Sequence, residues 1–206
     1  MEKVIITIAR QFGSGGKTIG KMLADELGFK FYEREIIKMA SDESGISEEL
    51  FGEVDEKTGT LSRIHLPKVY TGGLFSPQSS SFTSEQNLFN YQAKIIKEVA
   101  DEGNCVIIGR CADFVLKDYP NMMSVFVHAD RDFCKKMALE RVSVPENEIG
   151  KYIDRIDKYR GAYYKAYTGH EWYDLRNFDL CLNSGKLGFE KCVDEIKAYM
   201  NVRFAD

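Results

Sequence analysis

Gly13, Ser14, Gly15, Gly16, Lys17 and Thr18 stand together three residues after an apolar run, "VIITIA". That grouping suits phosphate chemistry. Glycines adopt positive φ readily and let backbone amides approach a ligand closely. A helix beginning there adds unpaired N-terminal amides and a dipole that favours an anion. Lys17 can neutralise phosphate charge, and the Thr18 hydroxyl can ligate Mg²⁺. Gly16-Lys17-Thr18 matches the end of the phosphate-loop pattern G-x-x-x-x-G-K-[ST], but Gln11 stands where the first glycine belongs.

A dinucleotide fingerprint, G-x-G-x-x-G followed about twenty residues on by an acid, is the rival reading. Gly13 and Gly15 fit its first two positions and Glu33 fits the acid, but Thr18 occupies the third glycine. A lysine inside the loop also suits terminal phosphates better than a pyrophosphate bridge.

Two further groups could serve an anion. Arg110 in "GRCAD" offers a planar fork of donors, and Asp113 could accept from a base amino group. Lys151, Arg155 and Lys158 share one helical face, Arg160 lies on another, and Arg141 precedes them. A charged face of this kind is equally consistent with plain solvation. Gln92 and Phe89, on the helix beside the glycine- and serine-rich segment 52–82, are further candidates to line a ligand site. Tyr159, Tyr163, Tyr164, Tyr167, Trp172 and Tyr173 could stack a base or simply fill a core. His65, His128 and His170 are too scattered for a metal site and read as structural or surface residues.

These residues need elements to position them. "VIITIA" (4–9), "FKFYE" (29–33), "CVIIG" (105–109), "SVFVH" (124–128) and "DLCLN" (179–183) read as short strands. Helical stripes alternate with them: Ile19, Met22, Leu23 and Leu27, closed by Gly28; then Leu88, Tyr91, Ile95, Ile96 and Val99, opened by a Thr83–Gln86 capping box. Pro145 suits the first position of the next long helix. Such alternation implies right-handed crossovers and a parallel sheet. Ligands of such sheets bind beyond the carboxyl ends of the strands, where the glycine loop, "GRCAD" and "HADRD" all fall. Residues 52–82, rich in Gly and Ser with Pro67 and Pro77, read as a mobile flap.

The segments "ITIARQFGSGGKTIGKMLADELGFKFYEREII", "CVIIGRCADFVL", "DKYRGAYYKAYTGHEWYDLRNFDLCLN" and "SGKLGFEKCVDEI" resemble the cytidylate kinase-like branch of the P-loop nucleoside monophosphate kinases. The resemblance implies an α/β P-loop NTPase-type fold of three layers, with a five-stranded parallel sheet. It implies one domain over 1–206, with an acceptor-side flap at 52–87 and a helical lid region at 141–175. It implies ATP and Mg²⁺, with CMP or dCMP as the acceptor. Gly13, Ser14, Gly15, Gly16, Lys17 and Thr18 would hold the donor, with Thr18 on the metal. Arg110, Asp113 and Gln92 would meet the acceptor; Lys17, Arg155 and Arg160 would be catalytic. Laid on the usual "ITIDGPSGAGKST", Ala9 replaces the Asp, Arg10 replaces the first Gly, and Gly16 falls where the Lys belongs. The literal motif register instead keeps Lys17 and misplaces Gln11. The altered entrance keeps open an ATP-binding regulator without turnover, and more remotely a dinucleotide enzyme.

The net charge of −4 argues against a bulk nucleic-acid binder. "MEKVIITIA" lacks the apolar run of a signal peptide, and no later run approaches 18 apolar residues, so a cytoplasmic protein off the membrane is expected. Five scattered cysteines with no C-x-x-C predict free thiols.

Overall fold

Strand β1 (Ile5–Arg10) is buried along its whole length. Val4, Ile6 and Ile8 face one hydrophobic cluster, and Ile5 and Ala9 face the other. A strand covered on both sides has no solvent face, which is why it reads as a continuous apolar run. The computed structural model describes residues 3–54, 69–70 and 72–205.

In chain order β1 is followed by α1 (Gly16–Leu27), β2 (Lys30–Tyr32), α2 (Glu35–Ser44), α3 (Glu48–Val54) and α4 (Glu85–Glu102). Then come β3 (Cys105–Ile108), α5 (Ala112–Val115), β4 (Met122–His128), α6 (Arg131–Leu139) and α7 (Glu146–Thr168). After a 3₁₀ turn at Leu175–Asn177, β5 (Leu180–Asn183), α8 (Ser184–Leu187) and α9 (Phe189–Arg203) complete the order. The five strands form one all-parallel sheet in the order β2-β3-β1-β4-β5. Helices α1 and α9 cover one face, where Ile19, Leu23, Cys192, Val193 and Ile196 meet Ile6, Ile8 and Val125. On the other face α2, α4 and α7 bring Ile36, Ile96 and Tyr163 against Ile5, Ile107 and Phe126. The expected three-layer α/β architecture is present. The strand order also removes the dinucleotide reading. There the acid follows a strand hydrogen-bonded to the first, whereas β3 here separates β2, and Glu33 beyond it, from β1.

Several boundaries differ from expectation. Ser84, not Thr83, caps α4, accepting from the Asn87 amide at 3.3 Å. Pro145 precedes α7 rather than opening it. Residues 52–54, at the start of the expected flap, end helix α3, and residues 85–87, at its close, belong to α4. In α3 the acids Glu48, Glu49 and Glu53 leave little apolar stripe in seven residues. Between the two helices, buried Asn87 and Asn90 pin the chain: Asn87 accepts from the Phe75 amide at 2.8 Å and donates to the Phe82 carbonyl at 2.7 Å, and Asn90 donates to the Gly73 carbonyl. Residues 55–68 and 71 of the predicted flap lie outside the described residues, as does His65.

The tyrosine cluster proves to be core. Tyr159, Tyr163, Tyr164, Tyr167 and Trp172 are buried, and Phe89 stacks on Tyr167 at 4.0 Å between centroids. Phe89 is fully enclosed among these rings and is part of the same core. Tyr173 alone of the group is exposed. His128 ends β4, and exposed His170 bonds Asn177 at 3.0 Å. All five cysteines are free.

Candidate active site

The glycine loop begins where β1 ends. Arg10 closes the strand, and the Gln11 amide extends the ladder to the Val127 carbonyl at 3.0 Å. The Gln11 side chain accepts from the Ala129 amide at 3.2 Å, fastening the loop entrance to the end of β4. Gly13 and Gly15 have φ of 82° and 80°, a conformation that strains any other residue. Space excludes side chains as well: a Cβ on Gly13 would lie 2.3 Å from the Cys134 carbonyl oxygen, and one on Gly15 would strike the Phe189 ring. Gly16-Lys17-Thr18 then opens α1, the placement of the literal motif register.

Among the described residues, the amides of Gly15, Gly16, Lys17 and Thr18 donate to no protein group, whereas the Ile19 amide bonds the Gly15 carbonyl. Four free amides at one helix start, with a glycine curve in front, form a cradle that fits phosphate oxygens. Ser14 contributes only backbone, because its buried hydroxyl turns back to the Gln11 carbonyl at 2.9 Å. Ser184 braces the loop from behind, donating to the Ser14 carbonyl at 2.6 Å. The Thr18 hydroxyl accepts from the Arg141 guanidinium at 2.6 Å.

Lys17 reaches across to Glu33, just past β2, and forms an ion pair with its buried carboxylate. Glu33 is also where Arg110 arrives. Arg110 sits beyond β3 with φ 60° and donates from Nε to the Glu33 carbonyl at 3.0 Å and from Nη1 to Gln92 Oε1 at 3.0 Å. The Gln92 amide nitrogen is buried with no partner among the described residues, an orphan donor beside the arginine.

Arg110 shares a slot with Arg10 and Arg160, all three guanidinium residues being buried. Three cations enclosed together need anionic company. The slot is only about 10 Å³, room for roughly one water. Arg160 donates to the Arg10 carbonyl at 3.1 Å and pairs with Asp157 at 3.5 Å. Burial pushes the Asp157 carboxyl up to about 6 against the pull of Arg160. Asp113 lines the same slot and accepts from the Tyr164 hydroxyl at 2.6 Å. Burial raises its carboxyl to about 6 too, although the Tyr164 hydrogen bond opposes the rise. Burial and the Asp113 charge push the Tyr164 phenol far above its ordinary range.

Of the residues singled out from sequence, the glycine loop, Lys17, Arg110, Asp113, Gln92 and Arg160 gather beyond the carboxyl ends of β1, β2 and β3. Arg155 does not join them. It lies exposed on α7 over the Tyr152 ring, at 5.2 Å from its centroid, with exposed Lys151 and Lys158 nearby in sequence. Arg10, Asp157 and the Lys17–Glu33 pairing were not anticipated. Arg160 and Asp157 carried a usable signal: both fall in the apolar stripe Ile149, Ile153, Ile156, Tyr163, Tyr167 at helical spacing. A charge inside such a stripe must be buried with a partner.

A five-stranded parallel sheet with a phosphate cradle at the first strand–helix turn defines a P-loop fold of the kinase type. Solved structures agree. A protein from Eubacterium ventriosum ATCC 27560 matches at TM-score 0.69 with 29% identity, over 97% of this chain and 99% of that one. A shikimate kinase from Bacteroides thetaiotaomicron matches at TM-score 0.57 with 16% identity, over 97% and 99%, a likeness of fold alone. The chain belongs to the cytidylate kinase-like family, whose model matches residues 5–186. It is a phosphotransferase of the kinase class. The cytidylate kinase of Sulfurisphaera tokodaii is 25% identical over 206 residues, covering 98% of both chains. That of Saccharolobus islandicus (strain Y.G.57.14) is 24% identical over 203 residues, covering 97% of this chain and 92% of its own. Among the described residues no helix is long and apolar enough to cross a membrane, and no three His, Cys, Asp or Glu side chains group to hold a metal.

Proposed function

We propose that the chain transfers the γ-phosphoryl group of ATP to a nucleoside monophosphate, with CMP or dCMP as the acceptor. One observation carries the reading: two anion-binding groups, the glycine loop with Lys17 and the Arg110 slot, come together at a single residue, Glu33. Donor and acceptor phosphates must lie side by side for transfer. The family and the cytidylate kinases among its relatives supply the choice of cytidine.

In this reading the free amides of residues 15–18 and Lys17 hold the donor phosphates. Arg110 holds the acceptor phosphate, oriented by Gln92, whose orphan amide supplies another donor. Asp113 is the polar partner for the acceptor base. An acceptor phosphate oxygen forms the new bond to the γ-phosphorus as the bond to the β-phosphate oxygen breaks, and ADP leaves with that electron pair. Transfer of this kind needs positioning and charge neutralisation more than covalent help. Arg160, on the slot wall, neutralises the moving group. Arg155 would reach it only as α7 closes. Mg²⁺ bound with the nucleotide would take the Thr18 hydroxyl as ligand and supply further neutralisation, once Arg141 releases that hydroxyl. The small slot must widen before an acceptor enters. We assign lid movement to residues 141–175 and acceptor covering to residues 52–87. Five free thiols suit a reducing, cytoplasmic setting.

Isothermal titration with ATP and with CMP tests the two halves separately. Arg110→Ala should cost about 1.5–3 kcal/mol in CMP binding and leave ATP nearly intact. Lys17→Ala should weaken ATP at least about tenfold and spare CMP. A wild type that binds ATP but no monophosphate would replace this reading with that of an ATP-binding regulator.

A further inference from the structure

The lid helix grips the entrance of the glycine loop at two points. Asp157 accepts from the Phe12 amide at 2.8 Å, and Arg160 donates to the Arg10 carbonyl at 3.1 Å. Arg160 also lies over the Phe12 ring at 5.7 Å. Residues 10–12 lack the first motif glycine, so their shape cannot come from glycine conformations. It comes from what they are tied to: Gln11 to β4, and Phe12 and Arg10 to α7. The Asp157 carboxylate is the shared element, since it binds Phe12 and pairs with Arg160.

We propose that Asp157 is a positioning residue: as a carboxylate it sets the loop entrance and Arg160 in one arrangement, coupling the lid helix to the donor site. The groups facing it are Arg160 on its own helix, Arg10 from β1, Arg131 and Cys134 from α6, and Tyr173 from the segment after α7. Three of these are permanent cations that favour the carboxylate, while burial opposes it and brings its titration to about 6. Above that value the charge-assisted bonds to Phe12 and Arg160 hold. Below it Asp157 is neutral, its attraction for Arg160 and the Phe12 amide weakens, and the entrance loosens.

The test compares Asp157→Asn and Asp157→Glu with wild type by three measurements: hydrogen exchange at the Phe12 amide, ATP affinity between pH 5.5 and 8, and melting temperature at pH 8. The Asn variant keeps the size but not the charge. It should exchange the Phe12 proton faster and bind ATP roughly tenfold more weakly at pH 8, the cost of a hydrogen bond to a charged group. Wild type should lose ATP affinity below about pH 6 more steeply than the Asn variant; comparing the two cancels the nucleotide's own titration. The Glu variant should recover part of the steep dependence. Melting of Asp157→Asn at pH 8 should change little, because relief of the carboxylate's burial offsets the attraction that Arg160 loses. Unchanged exchange and wild-type affinity at every pH would overturn the proposal. So would lower affinity with lower melting and an unaltered pH profile, the mark of a purely structural role. The identity of the loop as a donor site rests on the kinase reading. The exchange and ATP measurements need no acceptor, so failure of that reading would leave them decisive.

Discussion

Arg110 donates from Nη1 to Oε1 of Gln92 at 3.0 Å, and both side chains are buried. The bond fixes the plane of the guanidinium, and planar forks bind phosphate only when correctly turned. Replacing Gln92 by Leu should therefore raise the CMP KM by about tenfold, near the 1.5 kcal/mol lower bound for a charge-assisted bond. ATP binding should not move. Steady-state kinetics at saturating ATP checks this.

The Lys17–Glu33 ion pair predicts an effect of opposite sign. A donor must draw Lys17 away from the carboxylate. Glu33→Gln removes that competition, so ATP should bind up to about fivefold tighter, the range of a half-exposed pair of at most ~1 kcal/mol. The Arg110 bond to the Glu33 backbone carbonyl survives this substitution, so CMP affinity should change far less than for Arg110→Ala. Weaker ATP binding in titration would mean that Glu33 itself serves the donor.

Stability should depend on pH through Asp113. Its folded carboxyl titrates near 6, above the ordinary 3.8, because it is buried. The folded state thus binds more protons than the unfolded state between those values, and stability falls as pH rises through them. The contribution is complete below about pH 4 and gone above about pH 6, and amounts to at most about 3 kcal/mol. Urea midpoints of Asp113→Asn should fall less steeply from pH 4 to 6 than those of wild type. Parallel slopes would contradict the assignment.

Core and surface aromatics should separate cleanly. Phe89→Ala removes a fully enclosed ring stacked on Tyr167 and should cost about 3–5 kcal/mol. Tyr173→Ala, at a residue 56% exposed, should cost no more than about 1 kcal/mol. Thermal unfolding of the two variants reads both.

Much of this arrangement is legible in the chain itself. Uninterrupted apolar runs such as Val4–Ala9 declare strands covered on both faces, and the stripe from Leu88 to Val99 declares α4. The glycine loop announces an anion site by type and spacing. What stays hidden depends on distant partners. Arg10 reads as a strand exit until Arg160 binds its carbonyl, 150 positions away. Phe12 and Asp157 meet across 145 positions with no shared motif. Arg155 and Arg160 look alike as lid cations, and only the apolar stripe of α7 tells which one turns inward. Helix α3 escapes because an acidic seven-residue segment has too little periodicity to stand out from loop.

The central claim is that two nucleotides meet at Glu33 and exchange a phosphoryl group. Its most direct test is ADP release from ATP and Mg²⁺ across a panel of nucleoside monophosphates, with an acceptor-free control. The account predicts ADP formation that depends on CMP or dCMP, at least about tenfold above the control. ATP binding with ADP release that no monophosphate stimulates would contradict it.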